Sequence, residues 1–388
     1  MARRFSTPGH VSSAHPILLD PGARASPKLA FLPLDSSASN MRSRFYDARG
    51  SGRMTQGGKP SKSEISRRKA WIFSQADRPG LADLFAGGLR GRAFRRYWVT
   101  DNFWNGVNLL GFFGMKLLPM DVCSAIGARL GLFAIPRFYK AGEKRARDTI
   151  RQLCPEKTAE EQDALFRENC RMQGRLMTEF SVVNRIAKHP ERITLHGIDI
   201  IDKAVREGPT IIVSMHLGNW EIGPILLQRI NVSPHSFYLP PNGRAKAWIA
   251  ERVRRKAGLQ FLPPGFQGVR PAMKILKNGG VINAFCDEGF GGVIRGPLFG
   301  REPHMEGNLA LVVRLARATG ATICPWYNLR TEGFRFVGYA LPAIKLPHEE
   351  TPGARTVDDI LLLNAALEPV VRAHLDQWYY LDNALRRR

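Results

Sequence analysis

Between Pro209 and Pro224 the chain reads Thr-Ile-Ile-Val-Ser-Met-His-Leu-Gly-Asn-Trp-Glu-Ile-Gly, and two of these side chains can exchange protons, His216 and Glu221. The β-branched run Thr210 to Val213 behind Gly208-Pro209 reads as a buried strand. Helical spacing resumes at Ile222, Ile225, Leu226 and Ile230, so the chain goes strand, tight turn, helix. Gly218 lets the backbone bend sharply in that turn, and Asn219 is a candidate helix cap. A histidine at the end of a strand and a carboxylate one helical turn later can meet. The carboxylate then fixes the imidazole tautomer and stabilises the imidazolium after proton uptake. That is the base-and-orienter half of a triad, with no protein nucleophile nearby. The same pair also occurs as a purely structural hydrogen bond.

The block His-Leu-Gly-Asn-Trp-Glu at a strand-to-helix turn resembles the His-X4-Asp/Glu motif of the glycerolipid acyltransferases. Its Asn-Trp-Glu form is most similar to the bacterial lipid A biosynthesis acyltransferases, the lauroyl/myristoyl transferase family. Later blocks arrive in the order that family has them. Tyr238, Pro240 and Asn242 fit its Tyr-Arg-Pro…Asn stretch, but Leu239 stands at the arginine position, so Arg244 is the nearest substitute for binding phosphate. The strand ending in Cys286-Asp287-Glu288-Gly289 resembles the family's strand that closes on an aspartate. In a parallel sheet Asp287 would share the carboxyl edge with His216, where open α/β sheets hold their sites, and would either support the site or cap the loop that follows. Leu298-Phe299-Gly300-Arg301 resembles a Phe-Phe-Gly block, which makes Phe299 a candidate for an acyl groove and Arg301 for a phosphate.

The resemblance spans roughly residues 95–380 and implies a function. His216 would deprotonate an acceptor hydroxyl, which attacks an acyl thioester directly, with Glu221 orienting His216. Backbone N–H groups around Gly218–Trp220, with Asn219 among them, would face the developing oxyanion. The implied donor is an acyl carrier protein thioester and the implied acceptor an anionic glycolipid precursor of lipid A, at the cytoplasmic face of the inner membrane. No metal or redox cofactor is implied. Acylation of a lysophospholipid or another lipid is the alternative.

The elements that must position these residues follow from pattern. Residues from Ile193 onward alternate short apolar runs with helical periods, which predicts strands near 193–196, 210–215, 235–239, 281–286, 321–328 and 334–340. Helices are expected over 199–206, 220–229, 245–257, 269–277, 308–319 and 356–375. That texture predicts an α/β fold with a mostly parallel sheet flanked by helices. Residues 119–187 read as helices throughout, with Thr158-Ala-Glu-Glu161 a capping-box start. Two parts are therefore expected in one acyltransferase domain, a helical membrane-proximal one over 91–190 and the α/β catalytic one over 191–388.

Residues 1–90 are rich in Ser, Gly, Pro and Arg and read as a disordered basic leader. A transit peptide and a mis-assigned start, with Met41 and Met54 downstream, both fit it. The run Arg90 to Trp98 then leads into Val99–Leu118, which as a helix would be about 30 Å long, near the thickness of a bilayer core. Asp101, Asn105 and Asn108 give it one polar face, which favours a helix lying in the membrane interface or packed against its own domain over one that spans the bilayer. Basic residues on its N-terminal side favour a cytoplasmic location for that end.

The formal charge of +23 over 388 residues calls for anionic partners. Residues 1–96 hold 18 Lys/Arg against 6 Asp/Glu, so half of the excess lies in the leader and the segment after it. No nucleic-acid-binding motif accompanies the charge, which points to the acidic carrier and anionic lipid instead. Five cysteines without Cys-X2-Cys spacing suggest neither zinc nor disulfides.

Overall fold

The computed structural model describes residues 78–287 and 294–385. Residues 1–77 of the expected leader lie outside the described residues, as do Glu288 and Gly289 of the Asp287 loop. Residues 78–90 are described and form part of the fold. They contain α1 (Leu81–Phe85) and the start of α2 (Gly88–Arg95). The Trp98 indole donates to the Pro79 carbonyl, and the Arg78 guanidinium lies over the Trp98 ring. Helical structure is thus already present before residue 90.

One turn of π-helix, Arg96–Thr100, leads into α3 (Asp101–Leu117). Its polar side faces the protein: Asn105 Oδ1 accepts the Ala245 N–H and Asn102 Oδ1 accepts from Arg244. The apolar side, Phe103, Val107, Leu110 and Leu117, faces outward, with Leu117 85% exposed. Phe113 is exposed, whereas its neighbour Phe112 is buried in the core. Adjacent helical residues point about 100° apart, which turns the two rings to different faces. Among the described residues no helix is long and apolar enough to cross a membrane.

Three longer helices follow, α4 (Met120–Phe138), α5 (Lys140–Leu153) and α6 (Ala159–Glu179). The expected capping box opens α6, with Thr158 Oγ1 accepting the Glu161 N–H and Glu161 returning a bond to the Thr158 N–H. Helices α4 and α6 cross with their backbones nearly touching. A Cβ on Gly131 would sit 2.0 Å from the Cys170 carbonyl, and one on Gly174 2.0 Å from that of Gly127. This crossing anchors the C-terminal end of α6 under the turn that holds His216 and Asn219.

The rest is a three-layer α/β unit. Its strands are β1 (Ile193–His196), β2 (Thr210–Ser214), β3 (His235–Phe237), β4 (Gln260–Leu262), β5 (Val281–Phe285), β6 (Thr322–Arg330) and β7 (Phe336–Ala340). They form one sheet in the order β1-β7-β6-β2-β5-β3-β4. The five strands β6, β2, β5, β3 and β4 are parallel; β7 runs antiparallel to β6, and β1 pairs with β7. Central β2 is buried at every position, as a continuous β-branched run between two helical layers should be. The helices are α7 (Ile198–Glu207), α8 (Gly223–Leu227), α9 (Arg244–Lys256), α10 (Val269–Lys277), α11 (Asn308–Thr319) and α12 (Thr356–Ala373).

Two expectations needed revision. Strand β4 is a three-residue edge piece with too few residues to show a period. The helix expected over 220–229 is broken into a 3-10 turn at Trp220–Ile222, the short α8, and a second 3-10 turn at Gln228–Ile230. Pro224 inside that stretch removes a donor that a continuous helix would need.

Candidate functional site

Strands β2 and β5 are adjacent, parallel and in register, Ser214 opposite Phe285. Two residues past each strand end stand His216 and Asp287, both buried, with the Cys286 N–H donating to the Ser214 carbonyl between them. The register therefore carries the two side chains out of the sheet side by side. His216 Nδ1 lies 2.8 Å from Asp287 Oδ1, and the His216 backbone N–H donates to Oδ2 at 2.7 Å. The Trp378 indole donates to the same Oδ2 at 2.9 Å. The Asp287 carboxylate accepts all three bonds, so Nδ1 carries the imidazole proton and Nε2 carries the lone pair. That is the tautomer a general base needs.

Glu221, expected at the imidazole, makes its strong contact elsewhere. Arg254 on α9 grips it two-handed, Nε 2.9 Å from Oε2 and Nη2 2.5 Å from Oε1. Fork-to-fork pairing of this kind holds a carboxylate in one orientation. The reason lies in the turn. The 3-10 turn Trp220–Ile222 swings Glu221 toward α9, whereas the strand register has already brought Asp287 to Nδ1. Proximity in sequence pointed to Glu221; adjacency in the sheet selects Asp287.

The turn itself is tightly specified. Gly218 has φ +57, and a Cβ there would meet the Asn328 carbonyl at 2.7 Å, so both backbone conformation and space require glycine. Asn219 is fully buried and caps the 3-10 turn as expected, its Oδ1 accepting the Glu221 N–H at 3.2 Å. Its Nδ2 donates to Glu179 at the end of α6 at 2.9 Å. Glu179 is also paired with Arg330 of β6 at 2.5 Å, and both side chains of that pair are buried.

A C-terminal strap covers the turn. Leu217 bridges Trp378, the Tyr379 N–H donates to the His216 carbonyl, and the Gly218 N–H donates to the Gln377 carbonyl. The Gln377 side chain in turn closes on both backbone groups of Arg330, at 2.8 and 3.0 Å. Rings of Trp220, Phe285 and Tyr380 surround the imidazole, with centroids 4.8, 4.1 and 5.0 Å from it. This water-poor aromatic setting strengthens electrostatic contacts made inside it.

The remaining sequence-derived candidates fall at varied distances from this centre. Phe299, at φ +62, packs edge-on against Trp378 at 5.6 Å, one contact removed from Asp287. Arg301 donates to the Ile294 carbonyl and braces its own loop. Arg244 stacks on Tyr97 at 3.8 Å and donates to the Tyr97 carbonyl and to Asn102, so it ties α9 to α3. Asn242 is exposed in the loop before α9. Arg254, Glu179, Arg330, Gln377 and Trp378 were not among the candidates. The only sequence signal for any of them is the aromatic cluster Trp378-Tyr379-Tyr380; charged residues such as Arg254 look like ordinary surface positions.

The strap carries a pH sensor of stability. Burial, reinforced by the nearby Glu168 carboxylate, raises Asp376 to about 6, above the 3.8 of a free aspartate. A carboxyl group raised on folding favours the folded state while protonated. Its penalty is absent below about pH 4, grows as pH climbs through the window to about 6, and is complete above it. Asp376→Asn is therefore expected to raise Tm by a few degrees at pH 8, from up to ~3 kcal/mol less residual solvent screening. At pH 4 it should change Tm little. Equal gains at both pH values, read by calorimetry, would refute this.

Comparison with known proteins sets this site in a family. The family described as bacterial lipid A biosynthesis acyltransferase matches residues 92–387. A lipid A biosynthesis palmitoleoyltransferase of Escherichia coli (strain K12) is 26% identical over 276 residues, 69% of this chain and 86% of that protein. A lipid A biosynthesis acyltransferase of Shigella flexneri matches to the same extent. Among solved structures, the 1-acyl-sn-glycerophosphate acyltransferase PlsC of Thermotoga maritima overlaps 50% of this chain and 81% of its own, at 12% identity and a TM-score of 0.29, too loose a likeness to argue from. The family match runs from α2 to the C-terminal strap and encloses every residue of the His216 site, and on that breadth the chain belongs to the bacterial lipid A biosynthesis acyltransferases.

Proposed function

We propose that this acyltransferase moves a fatty acyl chain from an acyl carrier protein thioester to a hydroxyl of an anionic lipid A precursor, while attached to the cytoplasmic face of the inner membrane. The observation that carries the chemistry is His216 at the carboxyl end of β2 with its Nδ1 bound to Asp287. His216 Nε2 takes the proton of the acceptor hydroxyl as its oxygen attacks the thioester carbonyl. The tetrahedral oxyanion collapses with release of the carrier thiolate, to which the imidazolium returns the proton. Asp287 keeps the ring in register and stabilises its charged form. General-base action of this kind contributes ~10²–10⁴-fold.

Glu221 keeps a role in this scheme as half of the Glu221–Arg254 pair, next in sequence to the Trp220 ring that packs on His216. The pair fixes the 3-10 turn and with it the Asn219 and Trp220 N–H groups, which we assign to the oxyanion. The Gly218 N–H, expected among those donors, is already bound to the Gln377 carbonyl. The carrier and the phosphorylated acceptor are both acidic, which suits the excess of Lys/Arg. The outward apolar side of α3 supports attachment to lipid by an interfacial helix. Burying such side chains stabilises by roughly 25 cal/mol per Å².

Incubating the purified protein with labelled acyl carrier protein thioester and a phosphorylated glucosamine lipid should yield labelled glycolipid. Labelling of a lysophospholipid in preference to that lipid would replace the acceptor and leave the base chemistry standing. Transfer from coenzyme A thioesters alone would remove the carrier protein from the scheme.

A further inference from the structure

Residues 222–286, which build α8, β3, α9, β4, α10 and β5, contain ten Lys/Arg and a single carboxylate, Glu251. The surface of this half also exposes large apolar side chains. Leu239 follows β3 and Phe266 sits in the 3-10 turn after β4, exposed by 46% and 74%. Both strands run parallel to β2 through β5, so these two tips lie at the carboxyl edge of the sheet, the edge that carries His216. Trp248 on α9 is 45% exposed and lies 6.4 Å, ring to ring, from Phe113 of α3. Trp248 is thereby continuous with the outward side of α3. Exposed cations come from the same elements: Lys246 and Arg252 on α9 and Arg270 on α10, with the Arg252 guanidinium stacked at 5.4 Å over the Trp248 ring.

We propose that this basic-aromatic face, Leu239, Trp248 and Phe266 with Lys246, Arg252 and Arg270, is a second membrane contact that seats the carboxyl edge of the catalytic sheet on an anionic lipid surface. The inference rests on the membrane attachment proposed above and extends it from α3 to the catalytic lobe. Apolar tips among long cationic side chains suit the headgroup boundary, where rings enter the acyl region and cations stay with phosphates. A nucleic acid or an acidic protein would match the charge but would leave Leu239 and Phe266 in water. Seated this way, the site opens toward the headgroups, and an anionic lipid acceptor reaches His216 without leaving the bilayer.

Fluorophores can be placed selectively, because all five native cysteines are buried. An environment-sensitive probe is attached to Phe266→Cys on the full chain, to Leu110→Cys on α3, and to Leu361→Cys on α12 as an exposed control. With vesicles of mixed phosphatidylglycerol and phosphatidylcholine, the probes at 266 and 110 should brighten and shift to the blue, and the one at 361 should not. Lys246→Glu and Arg270→Glu should each lower partition onto these vesicles roughly fivefold or more, and leave partition onto pure phosphatidylcholine unchanged. A response at 110 without one at 266 overturns this contact and leaves attachment through α3 intact. Silence at both positions overturns the contact and the membrane attachment together.

Discussion

Asp287→Asn should lower acyl transfer by ~10²–10⁴-fold while the protein still folds. The amide has the shape of the carboxylate, but one of its two ends is a donor. Asp287 accepts from three N–H groups, two of which, the His216 backbone and the Trp378 indole, can only donate. The amide oxygen will therefore stay with those two, and its NH2 will face the imidazole. Nδ1 must then accept, the proton moves to Nε2, and the ring nitrogen required as the base carries a hydrogen. His216→Gln should give a loss of the same order, because the base itself is gone. Glu221→Gln should also lower activity, since it leaves Arg254 opposite a neutral amide and loosens the turn. The separating measurement is the pH–rate profile. Loss of the negative charge at 287 should move the acid limb to lower pH, and loss of the charge at 221 should leave it in place. The reverse pattern, with the limb moving for Glu221→Gln alone, would make Glu221 the carboxylate that serves the imidazole.

Arg330→Met and Glu179→Gln should each destabilise the fold by ~3–5 kcal/mol, a drop in Tm on the order of 10 °C. Each change leaves one charge without its partner where water does not reach. The native pair is itself imperfectly satisfied, with Arg330 Nε and Glu179 Oε1 lacking hydrogen bonds among the described residues. Replacing both residues together with methionine should therefore recover most of the lost stability, because an apolar pair of similar volume avoids the desolvation of two ions. Activity should not return with it. Glu179 also accepts from Asn219 Nδ2, and the Arg330 backbone is clasped by Gln377 of the strap, so the pair sets the turn between His216 and Glu221. A double variant that regains both melting temperature and turnover would show the pair to be structural only. Calorimetry and the acyl transfer assay on the same samples distinguish the two results.

Much of this protein was legible in one dimension. The run Thr210–Val213 ahead of His-Leu-Gly-Asn-Trp-Glu identified the strand and the turn that hold His216, because a buried strand and a glycine-bearing bend have strong local signatures. The family followed from the same residues. Most of the expected strands and helices are where hydrophobic period and capping chemistry put them, within a residue or two at many ends. The exceptions were β4, too short to show a period, and the stretch after Trp220, where Pro224 interrupts the helical hydrogen bonds.

What only the tertiary structure decided was which charges meet. Glu221 lies five positions from His216 and Asp287 lies 71, yet the parallel register of β2 and β5 brings Asp287 to the imidazole and the 3-10 turn sends Glu221 to Arg254. The order in which strands pair is set by the whole sheet closing around one core, and no local pattern records it. For the same reason Glu179 and Arg330 carry no mark in the sequence, and Trp378 carries only that of its aromatic cluster. They come from α6, β6 and the C-terminal strap, and they become part of the site when burial removes water and leaves only one another to satisfy them.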